Sequence, residues 1–239
     1  MPNDHVGPIL GERDGLHVID CKRCGWAHLE TMPTEDELSR FYESHFWQVE
    51  KVGALERIEQ QHEWWAETHG DWLELIERYV TGRDLLDVGC GYGHFLRRAL
   101  MRQWNIEGLD PNLEAVKYAQ TLTGHAPWCG SWKQSPFDSR SFDCVSALWL
   151  VEHLPDPFRF LEWTYDHLVI GGVLLAVVPN DFSPIQARAN RGVDKPFWWI
   201  DKTHLNYFTP VSFANLLGRA GFRIVERSTL FPVEQFLLD

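Results

Sequence analysis

The stretch from Asp84 to Leu100, DLLDVGCGYGHFLRRAL, restricts the fold of this chain more than any other. Leu85, Leu86 and Val88 form an apolar run too short for a helix and suited to a buried parallel strand. Glycines follow at alternate positions, Gly89, Gly91 and Gly93. Phe95, Leu96, Ala99 and Leu100 then recur at helical spacing among arginines. The pattern predicts strand, tight turn and helix, the first βα unit of a doubly wound nucleotide-binding sheet. Glycine permits positive φ and lets a ligand lie against the backbone. The helix N-terminus that follows offers unpaired N–H groups to an anionic ligand group.

A second feature lies downstream. Ile106 to Asp110 reads as another short strand ending in an acid. Its distance past the glycines, about 20 residues, is where such folds place the carboxylate that accepts ribose hydroxyls. One carboxylate can accept from both the 2′ and 3′ hydroxyls.

The glycine spacing differs from the dinucleotide fingerprint G-x-G-x-x-G. With Asp87 it reads D-x-G-x-G-x-G, which resembles motif I of the class I S-adenosylmethionine (SAM)-dependent methyltransferases. The resemblance extends over about residues 18–228, through Asp110-Pro111, the run Pro136 to Asp143, Glu152-His153-Leu154-Pro155-Asp156-Pro157, and His204-x-x-Tyr207-Phe208-Thr209-Pro210. The Glu152–Pro157 run is similar to ubiquinone-biosynthesis and sugar-modifying members. The N/D-P-P-Y/F loop that grips planar amino groups is absent there, which argues against an adenine or amide acceptor.

The resemblance implies an α/β fold with a Rossmann-like, seven-stranded, doubly wound sheet and a small N-terminal knuckle-like and helical extension. The expected segments are 1–33 (knuckle-like), 34–80 (helical cap) and 81–239 (SAM-binding domain). It implies that SAM is held by Asp87, Gly89, Cys90, Gly91, Gly93, Asp110, Pro111, Ser131, Trp132 and Leu148, with Asp87 toward the methionine amino group. Ser131 stands where members of the family usually carry an acid for the adenine. Trp132 either stacks on adenine or is a core residue beside a turn. Remaining strands are expected at 126–129, 144–149, 173–178 and 222–225, with 230–238 as an antiparallel edge.

For a hydroxyl acceptor a base near neutral pKa is needed. His153, His204 and Tyr207 are the candidates, with Asp201 three residues before His204 as a partner for it. No catechol-type acid cluster for a metal is evident, and no catalytic Mg²⁺ is expected. The loop 181–203 reads as a substrate lid with an apolar wall of Phe197, Trp198 and Trp199.

Near the N-terminus, Cys21-Lys22-Arg23-Cys24-Gly25 resembles half of a zinc knuckle. Related methyltransferases carry two C-x-x-C pairs and this chain carries one, so a degenerate knuckle without metal is the reading adopted. Structural zinc on Cys21 and Cys24 is the alternative, with His5, His17 and His28 the nearby side chains able to complete it. Thr34 and Glu37 form a capping-box pattern. A helix from Gly53 to Val80 is expected to break at Gly70.

A formal net charge of −12 without a basic stripe argues against non-specific contact with nucleic acid or anionic membrane. No apolar run reaches the length of a membrane span. Five scattered cysteines suit a reducing cytoplasm. The expected protein is a cytoplasmic monomer or homodimer that methylates a hydroxyl of a sugar or secondary metabolite. The alternatives are C- or N-methylation of a nucleotide-linked sugar, NAD-dependent oxidation, and SAM binding without catalysis.

Overall fold

A computed structural model describes residues 5–42 and 53–229. Its larger sheet has five parallel strands: β4 (Asp84–Val88), β5 (Asn105–Asp110), β6 (Trp128–Cys129), β7 (Phe142–Leu148) and β8 (Leu168–Val177). They lie in the order β6-β5-β4-β7-β8. The strand from the glycine stretch is therefore central, and chain order reverses around it. That reversal opens a crevice at the strands' C-terminal ends.

Side-chain alternation along β4 explains the two cores. Leu85 packs on one face with Cys144, Trp72, Leu73 and Ile76 of α3 (His62–Glu77) and with Phe95, Leu96 and Ala99 of α4 (His94–Met101). Leu86 and Val88 pack on the other with Val145, Phe160 and Leu161 of α6 (Pro157–Asp166) and Leu216 of α8 (Pro210–Arg219). Each leucine, isoleucine, valine or phenylalanine so buried contributes about 1.5–3 kcal/mol.

Among the described residues the larger sheet has five strands, not seven. Residues 222–229 form no strand, and the Val225 carbonyl accepts from the Tyr79 hydroxyl rather than from a strand neighbour. The expected edge at 230–238 lies outside the described residues.

Residues 5–33 do not stand alone. β1 (Ile9–Arg13), β2 (Leu16–Cys21) and β3 (Trp26–Leu29) form an antiparallel sheet whose fourth strand is β9 (Asn206–Tyr207). Ala27 pairs with Tyr207 and His28 with Asn206. Val18, Leu29 and Tyr207 are buried there against Trp199, Ile200 and Leu205. The loop expected as a lid is thus pinned at its end. Trp199 and Ile200 are buried, and the Arg13 guanidinium donates to the carbonyls of Trp198 and, at 3.1 Å, Ile200. Its middle contains a short helix, α7 (Pro184–Ala189).

The helical segment begins with α1 (Glu35–Arg40), capped reciprocally by Thr34 and Glu37 as its sequence requires. The following break falls at Gln61, between α2 (Ala54–Gln60) and α3, not at Gly70. Gly70 lies inside α3, beside Arg98 of α4. A Cβ there would come within 3.1 Å of the guanidinium.

Candidate active site

The glycine loop connects β4 to α4. Gly89, Gly91 and Gly93 have φ of +75°, +51° and +78°, values disfavoured for other residues. Gly93 has a second constraint, since a Cβ there would lie 2.7 Å from Cβ of Ala119 in α5 (Leu113–Thr123). No side chain among the described residues caps α4, so its first-turn N–H groups remain available to an anionic ligand group.

Asp110 ends β5 facing this loop. Its Oδ2 accepts the N–H of Gly91 at 3.0 Å and its Oδ1 that of Asn112 at 2.9 Å. Each oxygen keeps a lone pair for a ribose hydroxyl. Burial raises the Asp110 pKa to about 6, against the pull of those two hydrogen bonds. Asp87, beneath the loop, is more strongly affected. Burial pushes it to about 7, although the Ser146 hydroxyl donates to its Oδ1 at 2.7 Å, and the charge of Asp110 adds to the rise. A cationic amino group near Asp87 would favour its ionised form. The loop, the helix end and the two carboxylates thus fit the chemistry of SAM: a carboxylate, an ammonium and a ribose.

The other expected contacts divide. Pro111 and Leu148 stand at the C-terminal ends of β5 and β7, on the crevice rim. Cys90 turns its thiol into the core, so only its backbone lines the loop. Ser131 precedes a short turn of 3₁₀ helix. The ring of Trp132, partly buried, packs on Phe160 and Trp163, with centroids 5.6 Å away in both cases.

After β7 the chain forms a 3₁₀ turn, Val151–His153. The His153 Nδ1–H donates to the Thr203 carbonyl at 2.6 Å, which leaves Nε2 of the neutral ring as an acceptor. That nitrogen lies 3.8 Å from Glu152 Oε1, and the His204 ring is 4.8 Å from the His153 ring. Donor atoms of Glu152, His153 and His204 all fall within 4.8 Å. Glu152, fully buried, was not among the residues singled out by sequence. In the sequence it stands only as the first residue of the Glu152–Pro157 run, beside His153 after an apolar strand.

Asp201 is held by backbone as well as by the His204 charge. Its Oδ1 accepts from the backbone N–H and hydroxyl of Thr203 and from the backbone N–H of His204. Burial pushes its pKa up, but the Thr203 hydrogen bond and the His204 charge outweigh it and the net change is downward. Tyr207 is engaged by the same turn. It is fully buried, and its hydroxyl donates to the Asp201 carbonyl (3.1 Å) and accepts the Asp201 N–H (3.3 Å). Burial raises its pKa, and its hydroxyl braces the 201–204 turn.

Two further contributors were missed. The Tyr42 backbone carbonyl accepts from the Asn112 side chain at 3.5 Å while its ring meets that of His153, so this segment spans the strand ends. Trp149 takes φ +51° at the end of β7, a strained value for a bulky residue, with its ring against Trp65 and Trp72. A cleft of about 540 Å³, lined by Cys24, Trp26, Ser212, Asn215 and Arg219, lies between the small sheet and α8. It includes neither the glycine loop, Asp87 and Asp110 nor the Glu152–His153–His204 group.

A parallel sheet reversing at β4, a G-x-G-x-G turn and a carboxylate on the next strand define a class I SAM-dependent methyltransferase domain. The model of a methyltransferase-domain family matches residues 64–227, and the chain belongs to that family. A ubiquinone biosynthesis O-methyltransferase of Paramagnetospirillum magneticum is 30% identical over 162 residues, 63% of this chain and 64% of the relative. A tRNA U34 carboxymethyltransferase of Ectopseudomonas mendocina is 27% identical over 170 residues, 65% of this chain and 51% of the relative. The chain therefore spans less than two thirds of these curated relatives. The plantazolicin methyltransferase BpumL, solved with S-adenosylhomocysteine (SAH), shares the fold, with TM-score 0.57, 16% identity and 78% coverage of each chain. No described helix is long and apolar enough to cross a membrane.

Proposed function

We propose that this protein transfers a methyl group from SAM to a hydroxyl of a small molecule, a sugar or other secondary metabolite, with His153 as the proton acceptor. SAM supplies an activated methyl group on a sulfonium. What remains for the chain is to bind, orient and accept a proton. In this reading the glycine loop and the start of α4 hold the methionine carboxylate, Asp87 balances the amino group and Asp110 accepts the ribose hydroxyls. Pro111, Ser131 and Leu148 flank the base.

The observation that carries the reading is the fixed ring of His153. Thr203 orients it, and its Nε2 stands beside Glu152 and His204 next to the donor crevice. A base is required for a hydroxyl acceptor and is less needed for an amine. His204 is placed to support the protonated ring or to contact the acceptor. The wall of Trp65, Trp72 and Trp149 suits an apolar acceptor face and the sulfonium cation. A tRNA acceptor, suggested by the name of one relative, fits poorly with a net charge of −12.

The test combines binding and turnover. SAH, and not NAD, is expected to raise the melting temperature. SAH formation is then followed with a panel of sugar and phenolic acceptors. His153→Gln is expected to keep SAH affinity and lose about 10²- to 10⁴-fold in turnover. Full turnover by that variant would exclude His153 as the base. A response to NAD alone would support the oxidoreductase alternative.

A further inference from the structure

The small sheet brings together four soft and borderline donors that the methyltransferase reading leaves unused. Cys21 ends β2, Cys24 lies in the turn, His28 is on β3 and His5 precedes β1. Their ligand atoms all lie within 4.8 Å of one another. His5 Nδ1 is the hub, 3.1 Å from His28 Nε2, 3.5 Å from Cys21 Sγ and 3.3 Å from Cys24 Sγ.

One imidazole nitrogen cannot satisfy three neighbours by hydrogen bonding, because it carries one proton or one lone pair. A central ion accounts for all three distances. Zinc–sulfur bonds of about 2.3 Å and zinc–nitrogen bonds of about 2.05 Å at tetrahedral angles give edges near 3.3 Å for N–N and 3.6 Å for N–S. The observed values lie within about 0.3 Å of those edges. His28 supplies a second, independent sign. Its Nδ1–H donates to the Leu29 carbonyl at 2.7 Å, which fixes the tautomer and leaves Nε2 as the coordinating atom. Metal-bound histidines are oriented in this way by an outer hydrogen bond. His17, the third nearby histidine, is engaged by Glu30 at 3.0 Å.

We propose that His5, Cys21, Cys24 and His28 bind one structural Zn²⁺, with His5 standing in for the second cysteine pair that the sequence lacks. Two thiolates and two neutral imidazoles cancel the charge of the ion, which suits a site half out of solvent. This proposal departs from the reading of a metal-free knuckle.

The position of the site gives the ion a purpose. β3 carries His28, and His28 pairs with Asn206 of β9. The Leu205 N–H donates to the Glu152 carbonyl at 2.9 Å, and the Asn206 amide donates to the Leu154 carbonyl at 2.7 Å. Zinc at the end of β2–β3 would therefore brace the turn that holds Glu152 and His153. The ligand set itself does not depend on the proposed methyl acceptor.

The test uses the full chain expressed with zinc and purified without chelator. Elemental analysis is expected to find about one zinc per chain, and Co²⁺ exchange to give the absorption of a tetrahedral thiolate site. His5→Ala, which alters only the exposed arm, is expected to lower zinc content severalfold, and His17→Ala to leave it unchanged. Chelation is expected to release two reactive thiols and lower the melting temperature. Cys24→Ser is expected to lose zinc and still bind SAH, since the glycine loop is on the other sheet. Zinc-free protein with both thiols immediately reactive or joined in a disulfide would overturn the proposal. Full zinc in His5→Ala would remove His5 from the ligand set and overturn the site as stated. Loss of SAH binding by the parent protein would instead count against the methyltransferase reading.

Discussion

Asn206 connects three parts of the molecule, and Asn206→Leu tests that connection. The side chain is 1% exposed. Its Oδ1 accepts from Trp26 Nε1 at 2.8 Å, and its Nδ2 donates to the carbonyls of Leu154 at 2.7 Å and Glu152 at 3.4 Å. Leucine keeps the approximate volume and removes all three bonds. The Glu152 carbonyl retains the Leu205 N–H, so the buried Trp26 N–H and the part-buried Leu154 carbonyl are left unsatisfied. At about 1–3 kcal/mol each the loss is about 2–6 kcal/mol. For a chain of this size a mid-range loss lowers the melting temperature by roughly 10 °C. Thermal unfolding followed by circular dichroism at neutral pH measures it. SAH affinity should persist, because Asn206 touches neither the glycine loop nor Asp110. A shift under about 2 °C would show that water or rearrangement satisfies those groups and that the connection carries little energy.

Other substitutions probe the remaining parts. Asp110→Ala should weaken SAH binding by at least about tenfold in calorimetry, since it removes a charged acceptor of two hydroxyls; unchanged affinity would refute the ribose assignment. Gly93→Ala should destabilise the protein by about 1–2 kcal/mol from its positive φ alone, with further cost from contact with Ala119; denaturant unfolding would read it. Glu77 accepts from Arg102, Trp104 and Arg83, and the Arg102 hydrogen bond chiefly holds its pKa down, from 4.5 to about 2. A lowered carboxylate pKa stabilises the folded state above the ordinary value, and that contribution disappears as pH falls from 4.5 to about 2. With allowance for solvent screening it amounts to about 1–2 kcal/mol. The melting-temperature gap between parent and Glu77→Gln should therefore close over that interval, and a gap constant with pH would contradict the assignment.

The larger sheet was legible because its signals are local. Apolar runs, alternate glycines and the Asp110 spacing each sit within a few residues, and β4, β5 and the loop lie where those signals placed them. The small sheet was only half legible. β2 and the cysteine turn are local, but β9 is two residues long and is defined by a partner far away in sequence. For the same reason Tyr207 read as a catalytic candidate: its motif shows a tyrosine near a histidine, not that the 201–203 backbone consumes the hydroxyl. Gly70 looked like a helix break because its neighbour, the Arg98 guanidinium, comes from another helix. Glu152 was passed over since a buried acid and a surface acid look alike in sequence.

The pairing of Ala27–His28 with Asn206–Tyr207 also bears on the order of events during synthesis. Topologically, the five-stranded sheet is inserted between the third and fourth strands of the small one. β1–β3 leave the ribosome long before β9 exists, so their sheet waits with one edge uncovered while the larger sheet is made. Contacts of such sequence separation close late and slowly. The exposed β3 edge is accordingly the surface of the nascent chain most open to wrong partners until the last quarter of the sequence emerges.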